Sequence, residues 1–167
     1  FIGLEPVIKP AVALTKTGVI GVLATKTTIK SQRQKRLINE FAQAKKVITI
    51  DASELTPFVE AGQEATPVLE KLLLPLKKTG VDVLVLGCTH YPLLRKQIRT
   101  IMGPSVKIID SGQSVAKQVK KVLEENNLLS NQSKVQHSFF TTGGPKKLQV
   151  LASRVLSFPI NCDKIKL

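Results

Sequence analysis

Short apolar runs rich in β-branched residues recur along the first two thirds of the chain. They lie at residues 19–24, 47–50, 81–86 and 106–109. Continuous apolar runs of this length are typical of strands that are buried on both faces of a parallel sheet. The longer segments between them carry apolar residues at helical spacing. This alternation predicts an α/β fold in which a parallel sheet is flanked by helices.

One helical segment contains a proline, and the pattern weakens later in the chain. Its apolar face is formed by Val68, Leu69, Leu72, Leu73 and Leu76. Pro75 is expected to kink or end this helix, because proline has no N–H and its ring clashes with the preceding turn. Residues 126–134 are polar and predict a linker or a long loop. Beyond them, residues 138–141 predict a strand and residues 146–156 a helix.

The chain has 167 residues, 43% of them hydrophobic, which suffices for one ordinary domain or two small ones. No apolar run approaches the ~20 residues of a membrane span, and no signal peptide is visible. The chain begins with Phe1 and its one methionine is Met102, so we expect a piece of a longer protein. Cys88 and Cys162 are too few for a disulfide framework or a cysteine-based metal site, which favours a reduced, cytoplasmic setting.

The formal net charge of +13 points first to a nucleic-acid partner, because basic proteins attract phosphates. The basic residues, however, are spread along the chain, many of them in lysine pairs. Six Phe, one Tyr and no Trp are present, and they form no stacking set of the kind that single-strand binders use. We therefore expect a solvated basic surface, and a basic nucleic-acid-binding module is the non-enzyme alternative.

Polar residues follow every predicted strand, at the edge of the sheet where ligands bind in parallel α/β folds. They are residues 25–28, Asp51, residues 87–92 and residues 110–112. The third of these groups reads Gly-Cys-Thr-His-Tyr-Pro and combines a thiol, hydroxyls and an imidazole. The sequence thus predicts a functional site at this edge.

Cys88 offers the most chemistry of these residues. It stands between a strand and a helix whose first turn Pro92 is expected to open, and free N–H groups there favour a thiolate. Thr89 offers a hydroxyl and an N–H to a ligand carboxylate, and His90 can donate, accept or orient a neighbour. A lone strand cysteine is more often a small core residue, but these companions favour a site.

Thr25 and Thr28 have two interpretations. Threonines at a helix start commonly cap it, but a threonine-rich helix N-terminus also binds carboxylate or phosphate. A nucleotide P-loop is not supported, because neither a glycine-rich loop nor Gly-Lys-Thr is present. Glu60 is as consistent with a surface helix acid as with a site residue, and residues 110–112 are best explained as a helix N-cap.

Residues 81–94 resemble the second-cysteine motif of the glutamate racemase family. The motif reads Gly-Cys-Thr-His-Tyr-Pro-Leu-Leu from Gly87, preceded by Val-Asp-Val-Leu-Val-Leu. Residues 21–31 are similar to the family's threonine-containing turn, and residues 56–62 to the stretch that ends in its active-site glutamate. Residues 140–145 resemble its threonine-glycine-aspartate-proline segment, although Gly144 stands where the family has the aspartate.

The resemblance covers essentially the whole chain and implies its organisation. The family has two α/β lobes with the active site between them, and the first lobe carries the first catalytic cysteine. No motif of that lobe occurs here. Residues 1–8 are then a crossover from the absent lobe, residues 9–112 are the second lobe, and residues 113–167 return to the first. The apolar groups of this last segment are expected to pack against the absent lobe.

The resemblance also implies a mechanism. Racemisation removes the Cα proton of glutamate on one face and returns a proton on the other, so two acid–base groups must flank the carbon. The implied site residues are catalytic Cys88, His90 and Glu60 and substrate-binding Thr89, His90, Thr25 and Thr28. No cofactor or metal is implied. The D-glutamate would supply peptidoglycan, the intact enzyme is compatible with a homo-oligomer, and this chain with its single site cysteine is expected to be inactive alone.

Other interpretations stay open. A related aspartate or hydantoin racemase is the nearest, although the Thr-His-Tyr-Pro run favours glutamate. A thiol hydrolase using Cys88 and His90 would need an oxyanion hole and a group that orients the histidine, and the sequence identifies neither. The basic nucleic-acid-binding module is the alternative in which the protein is not an enzyme.

Overall fold

The computed structural model describes residues 2–131, 136–156 and 158–166. Its main sheet consists of β1 (Val19–Ala24), β2 (Lys46–Asp51), β3 (Val83–Leu86) and β4 (Lys107–Asp110). The strands are all parallel and lie in the order β2-β1-β3-β4. The predicted α/β fold with a parallel sheet flanked by helices is therefore confirmed.

Helices connect the strands and continue beyond the sheet. They are α1 (Ile8–Leu14), α2 (Lys26–Lys30), α3 (Gln32–Phe41), α4 (Leu55–Ala61), α5 (Thr66–Lys77), α6 (Arg95–Met102), α7 (Gly112–Glu125) and α8 (Pro145–Leu156). A turn of 3-10 helix, Tyr91–Leu94, directly precedes α6. Two short strands, β5 (Phe139–Thr141) and β6 (Cys162–Lys164), pair in parallel as a separate small sheet. Within the described ranges, no helix is long and apolar enough to cross a bilayer.

Alternate side chains of the central strands build two cores, one on each face of the main sheet. Ile20 and Val83 pack with α1 and α3 on one face. Leu23 and Leu84 pack with α4, α5 and α6 on the other. Because both faces are covered, the central strands have apolar residues at successive positions instead of alternating with polar ones.

Asp82 explains why β3 begins at Val83, two residues later than predicted. Its carboxylate accepts hydrogen bonds from the hydroxyl of Thr15 at 2.5 Å, the N–H of Lys16 at 2.6 Å and the N–H of Thr17 at 3.1 Å. Burial opposes ionisation, but these hydrogen bonds outweigh it and lower the pKa of Asp82 to about 2. Asp82 thereby joins the start of β3 to the loop between α1 and β1. The other predicted strands begin and end within one residue of their predicted bounds, whereas β6 was not predicted.

Pro75 was expected to kink or end its helix, and it does not end it, because α5 continues through Pro75 to Lys77. The kink stays a prediction. The proline stands in the last turn, where its missing N–H removes one backbone hydrogen bond and few residues follow. Leu69, Leu73 and Leu76 of the same helix are buried against the sheet. Burial of a leucine contributes ~1.5–3 kcal/mol, so the packing of this face outweighs the lost hydrogen bond.

The segment after β4 is packed much less tightly than the main sheet. No residue of α7 or α8 is buried. Phe140, Val155 and Phe158 leave 54%, 56% and 43% of their surfaces exposed. Leu151 of α8 packs at the margin of the core that α4, α5 and α6 form. Apart from Ile160 and Cys162, which are buried, the apolar groups of this segment thus have little cover from the rest of the described chain.

The loop predicted at residues 126–134 is confirmed over the part that the structure describes. Residues 126–131 contain neither helix nor strand, and Asn127 has a positive φ of 54° directly after the end of α7. Residues 132–134 lie outside the described residues. The predicted strand and helix beyond the loop are present as β5 and α8.

Candidate active site

The carboxyl ends of the four main strands meet at one edge of the sheet. In the register of the sheet, Leu23 is opposite Leu86, and Ala24 is opposite Asp51. The chain continues this contact beyond the strands, because the N–H of Gly87 donates to the carbonyl of Leu23 at 2.7 Å. The residues that follow β1, β2 and β3 are therefore neighbours in space, as the sequence predicts.

Gly87 allows the chain to turn close against β1. A Cβ at this position would lie 3.0 Å from the carbonyl oxygen of Leu23 and 3.3 Å from the Cβ of Ala24. Backbone oxygen cannot move aside as a flexible side chain can, so a larger residue would push the loop off the strand. The glycine thus fixes where the next residue, Cys88, leaves the sheet.

Cys88, His90 and Glu60 form a connected line at this edge. The Sγ atom of Cys88 lies 3.7 Å from Nδ1 of His90. The opposite nitrogen of the same ring, Nε2, lies 3.5 Å from Oε1 of Glu60. The His90 side chain is 28% exposed and that of Glu60 is 59% exposed, so the line runs from the partly buried thiol out to solvent.

This line suits proton transfer at the thiol. When Nε2–H of His90 donates to Glu60, Nδ1 is free to accept the proton of Cys88. When the imidazole carries both protons, its charge stabilises a Cys88 thiolate on one side and pairs with the carboxylate on the other. The sequence places Cys88 and His90 two residues apart, but only the fold brings α4, and with it Glu60, to the histidine.

The turn after Cys88 differs from the expected helix N-terminus. The N–H of Tyr91 donates to the carbonyl of Cys88, and the N–H of Leu93 donates to that of His90. These bonds belong to the 3-10 turn that Pro92 opens, and α6 begins only at Arg95. The prediction that Pro92 opens the turn is confirmed, but an α-helix does not start directly at Cys88.

Thr25 and Thr28 lie together at the exit of β1. Thr25 is the N-cap of α2, and its Oγ1 accepts from the N–H of Thr28 at 3.4 Å and lies 3.0 Å from the Thr28 hydroxyl. The capping interpretation thus holds for Thr25, and the pair also presents two adjacent hydroxyls at the edge. Thr89 is exposed in the loop of Cys88.

The edge contains a further residue that the sequence did not single out. The hydroxyl of Ser53 donates to Oδ1 of Asp51 at 2.6 Å and accepts from the N–H of Lys26 at 2.9 Å. Hydrogen bonds from Ser53 lower the pKa of Asp51. Ser53 therefore connects the exit of β2 to the first turn of α2, directly beside the threonine pair. The nearest signal in the sequence was Asp51 itself.

Residues 110–112 serve the architecture, as expected, but by a different side chain. Oδ1 of Asp110 accepts from the N–H of Gly112 at 2.8 Å, whereas Ser111 makes no side-chain cap. The other oxygen of Asp110 pairs with the guanidinium of Arg95, which also donates to the carbonyl of Ile108 at 2.8 Å. This group fixes the end of β4 against α6.

The described part of the chain offers no second candidate site among the residues predicted to do chemistry. A cavity of about 550 Å³ lies between the N-terminal segment, α3 and α7. Its lining includes Ser111 but none of Cys88, Thr89, His90, Glu60, Thr25 and Thr28. No group of three or more His, Cys, Asp or Glu side chains in the described residues is placed to hold a metal ion. Cys162 lies in β6 and His137 stacks near Phe158, so neither belongs to the edge of Cys88.

Comparison with known proteins shows to which protein family this chain belongs. The family model described as Asp/Glu/Hydantoin racemase matches residues 4–119, which include every predicted site residue. The chain belongs to this racemase family. The glutamate racemase of Pseudomonas entomophila is 39% identical over 170 residues, and that of Deinococcus radiodurans is 43% identical over 157 residues.

Solved structures of glutamate racemases have the same fold as this chain. A glutamate racemase isoform from Bacillus anthracis superimposes with a TM-score of 0.82 at 34% identity, covering 96% of this chain. The Escherichia coli enzyme, in complex with L-glutamate and the activator UDP-MurNAc-ala, gives a TM-score of 0.81 at 27% identity over 97% of this chain. The resemblance drawn from the sequence motifs is thereby confirmed.

The chain spans about three fifths of the length of the relatives it matches. It covers 64% of the Pseudomonas racemase and 62% of the Bacillus structure. The Pseudomonas match thus includes 95% of this chain but leaves about a third of the relative's own length unmatched.

Family membership also weighs on the thiol hydrolase alternative. That alternative needed a group that orients the histidine, and Oε1 of Glu60 lies 3.5 Å from Nε2 of His90. The matched family, however, is one of racemases and not of hydrolases.

Proposed function

We propose that the protein containing this chain interconverts L-glutamate and D-glutamate by proton transfer at Cα, with Cys88 as one of two acid–base groups. The relatives that match the chain are named glutamate racemases, and the Francisella tularensis structure with a TM-score of 0.79 is a complex with D-glutamate. The D-glutamate produced would supply peptidoglycan synthesis. We expect the reaction to take place in the cytoplasm.

The observation that carries the proposal is the line from Cys88 through His90 to Glu60. A proton carrier must exist as both thiol and thiolate during a catalytic cycle, and an imidazole 3.7 Å from Sγ can take or return that proton. Glu60 at 3.5 Å from the other ring nitrogen holds the imidazole and stabilises its charged form. Such a line needs neither a Schiff base nor a metal ion, so we propose a cofactor-independent reaction.

The hydroxyls beside this line suit the substrate. Glutamate has two carboxylates and an ammonium group, and hydroxyls at a strand exit can donate to carboxylate oxygens. Thr25 and Thr28 present two hydroxyls at the exit of β1, and Thr89 adds a third beside Cys88. We propose that these three residues and His90 bind the substrate, and that Cys88 faces its Cα.

A second proton carrier must lie on the opposite face of the substrate carbon. Cys162, the other cysteine, is buried in β6 and pairs with the chain at Phe139, away from the main sheet. We therefore propose that the second group belongs to the portion of the racemases that this chain does not span. Residues 1–8 would be the crossover to that portion, residues 9–112 the lobe of Cys88, and residues 113–167 the segment that returns to it.

The test is a racemisation assay in deuterated water on the intact protein that contains this chain. We expect L-glutamate and D-glutamate to interconvert with incorporation of solvent deuterium at Cα, and aspartate to react far more slowly. Activity should survive dialysis against a chelator. Activity that requires added pyridoxal phosphate would contradict the proposed chemistry, and preferential turnover of aspartate would contradict the substrate. The 167-residue chain assayed alone should show no interconversion.

A further inference from the structure

Gly62 ends α4, the helix that carries Glu60, and it has a left-handed backbone with a φ of 67°. Its N–H donates to the carbonyl of Val59 at 3.0 Å, and the N–H of Gln63 donates to that of Phe58 at 2.9 Å. These two bonds close the last turn of the helix, and glycine takes the left-handed conformation without steric cost. Glu60 lies in this turn, so the place of its carboxylate depends on how firmly the turn is held.

The guanidinium of Arg154 in α8 fills the space beside this glycine. A Cβ on Gly62 would lie 1.7 Å from Nη1 of Arg154 and 2.4 Å from its Cζ. Leu151, one turn earlier in α8, packs at the margin of the core that α4, α5 and α6 form, and residues three apart share a helix face. Carbonyls at the end of a helix have no partner within it and carry partial negative charge, so a cation there is favourable. This face of α8 therefore contacts the main-sheet region with one apolar and one cationic side chain.

We propose that Arg154 is a positioning residue for Glu60. Its guanidinium holds the last turn of α4, and this turn holds Oε1 of Glu60 at 3.5 Å from Nε2 of His90. The C-terminal segment, whose helices are otherwise poorly covered, thereby takes part in the site. Arg154 acts through Glu60 alone, and the inference rests on the proposed role of the line from Cys88 to Glu60.

The first test is a double-mutant cycle that is followed by thiol chemistry in the 167-residue chain. In a Cys162→Ser background Cys88 is the only thiol, and its alkylation rate near pH 7 follows the thiolate population. Glu60→Gln should lower this rate by about two- to fivefold, because the imidazole loses the carboxylate that stabilises its charged form. Arg154→Gln should lower it by about twofold, and the double variant should be no slower than Glu60→Gln alone.

The cycle separates the role of Arg154 from the role of the line. An equal effect of Arg154→Gln with and without Glu60 would mean that the guanidinium acts as a nearby charge, and no effect would mean that it only docks α8. Either result overturns the proposal and leaves the line intact. If Glu60→Gln leaves the rate unchanged, the line itself is overturned, and the role of Arg154 with it. Lys147→Gln removes the same charge from an exposed position of the same helix, and this matched control should alkylate at the parent rate.

The second test measures the turn itself by amide hydrogen exchange in the same chain. Arg154→Gln should speed the exchange of the Gly62 and Gln63 amides, whose bonds close the turn, by about two- to fivefold. The amides of β3 should keep the parent rates, and Lys147→Gln should change neither set. Unchanged exchange at Gly62 and Gln63 in Arg154→Gln would overturn the proposal, whatever the outcome of the racemisation assay.

Discussion

The residues up to Asp110 and the segment from Gly112 onward use the same kinds of helix and strand but bury them differently. The main sheet has helices on both faces, and its central strands are almost entirely buried. In α7 and α8 no residue is buried, although both helices have apolar positions. The two regions therefore show that a helix pattern in the sequence predicts the helix but not whether anything covers it.

Truncation of one apolar side chain in each region is the strongest test of this contrast. Leu84 of β3 is fully buried, whereas Val150 of α8 is 54% exposed. Leu84→Ala should lower the free energy of unfolding by ~2–5 kcal/mol, because it removes buried contacts and leaves a cavity. Val150→Ala should change it by less than ~0.5 kcal/mol. Urea unfolding followed by circular dichroism measures both, and comparable losses would show that α8 is covered after all.

Acid should weaken the main-sheet region through Asp82. Its pKa in the folded chain is about 2, below the usual value for an aspartate, so its hydrogen bonds stabilise the fold fully above that usual value. The stabilisation should then disappear as the pH falls from ~4 towards ~2. Asp82→Asn should remove this part of the pH dependence of unfolding. The exposed Asp163 of β6 is the control, and an unchanged acid limb in Asp82→Asn would contradict the assignment.

A smaller difference is expected between two helix caps. The Oγ1 of Thr25 accepts from the N–H of Thr28, whereas Ser111 at the start of α7 makes no side-chain cap. Thr25→Ala should therefore lower the free energy of unfolding by ~1 kcal/mol, and Ser111→Ala by less than ~0.5 kcal/mol. Thermal unfolding of the two variants beside the parent chain checks this order. A larger loss for Ser111→Ala would mean that α7 depends on a contact other than capping.

The parts of the fold that follow from local pattern could be predicted from the sequence. β1 has the predicted bounds because its apolar run is buried on both faces, and the edge of polar exits follows from parallel strands. The late start of β3 could not be predicted, since it depends on bonds from Asp82 to residues more than 60 positions earlier. The continuation of α5 past Pro75 could not be predicted for a related reason. Burial of the helix against the sheet outweighs the backbone hydrogen bond that the proline removes.

The residues of the candidate site also differ in whether they could be predicted from local sequence. Cys88, Thr89 and His90 could be predicted because they are consecutive and follow a strand. Ser53 could not be assigned a role, because its partner Lys26 lies 27 residues away in sequence. From the sequence, Glu60 was as consistent with a surface helix acid as with a site residue. The fold places its Oε1 3.5 Å from Nε2 of His90. Long-range hydrogen bonds thus account for most of what the sequence left open.

The central claim is that Cys88 carries a proton at the substrate carbon, and solvent exchange tests it most directly. Cys88→Ser is nearly isosteric, but a serine hydroxyl is far less acidic than a thiol, so it cannot alternate between the two forms near neutral pH. The substitution is made in the intact protein that contains this chain, which is incubated with glutamate in deuterated water. The rate of deuterium incorporation at Cα should fall by more than ~1,000-fold. Cys162→Ser should retain activity close to that of the parent. Incorporation by Cys88→Ser within about tenfold of the parent would contradict the assignment of Cys88 as an acid–base group.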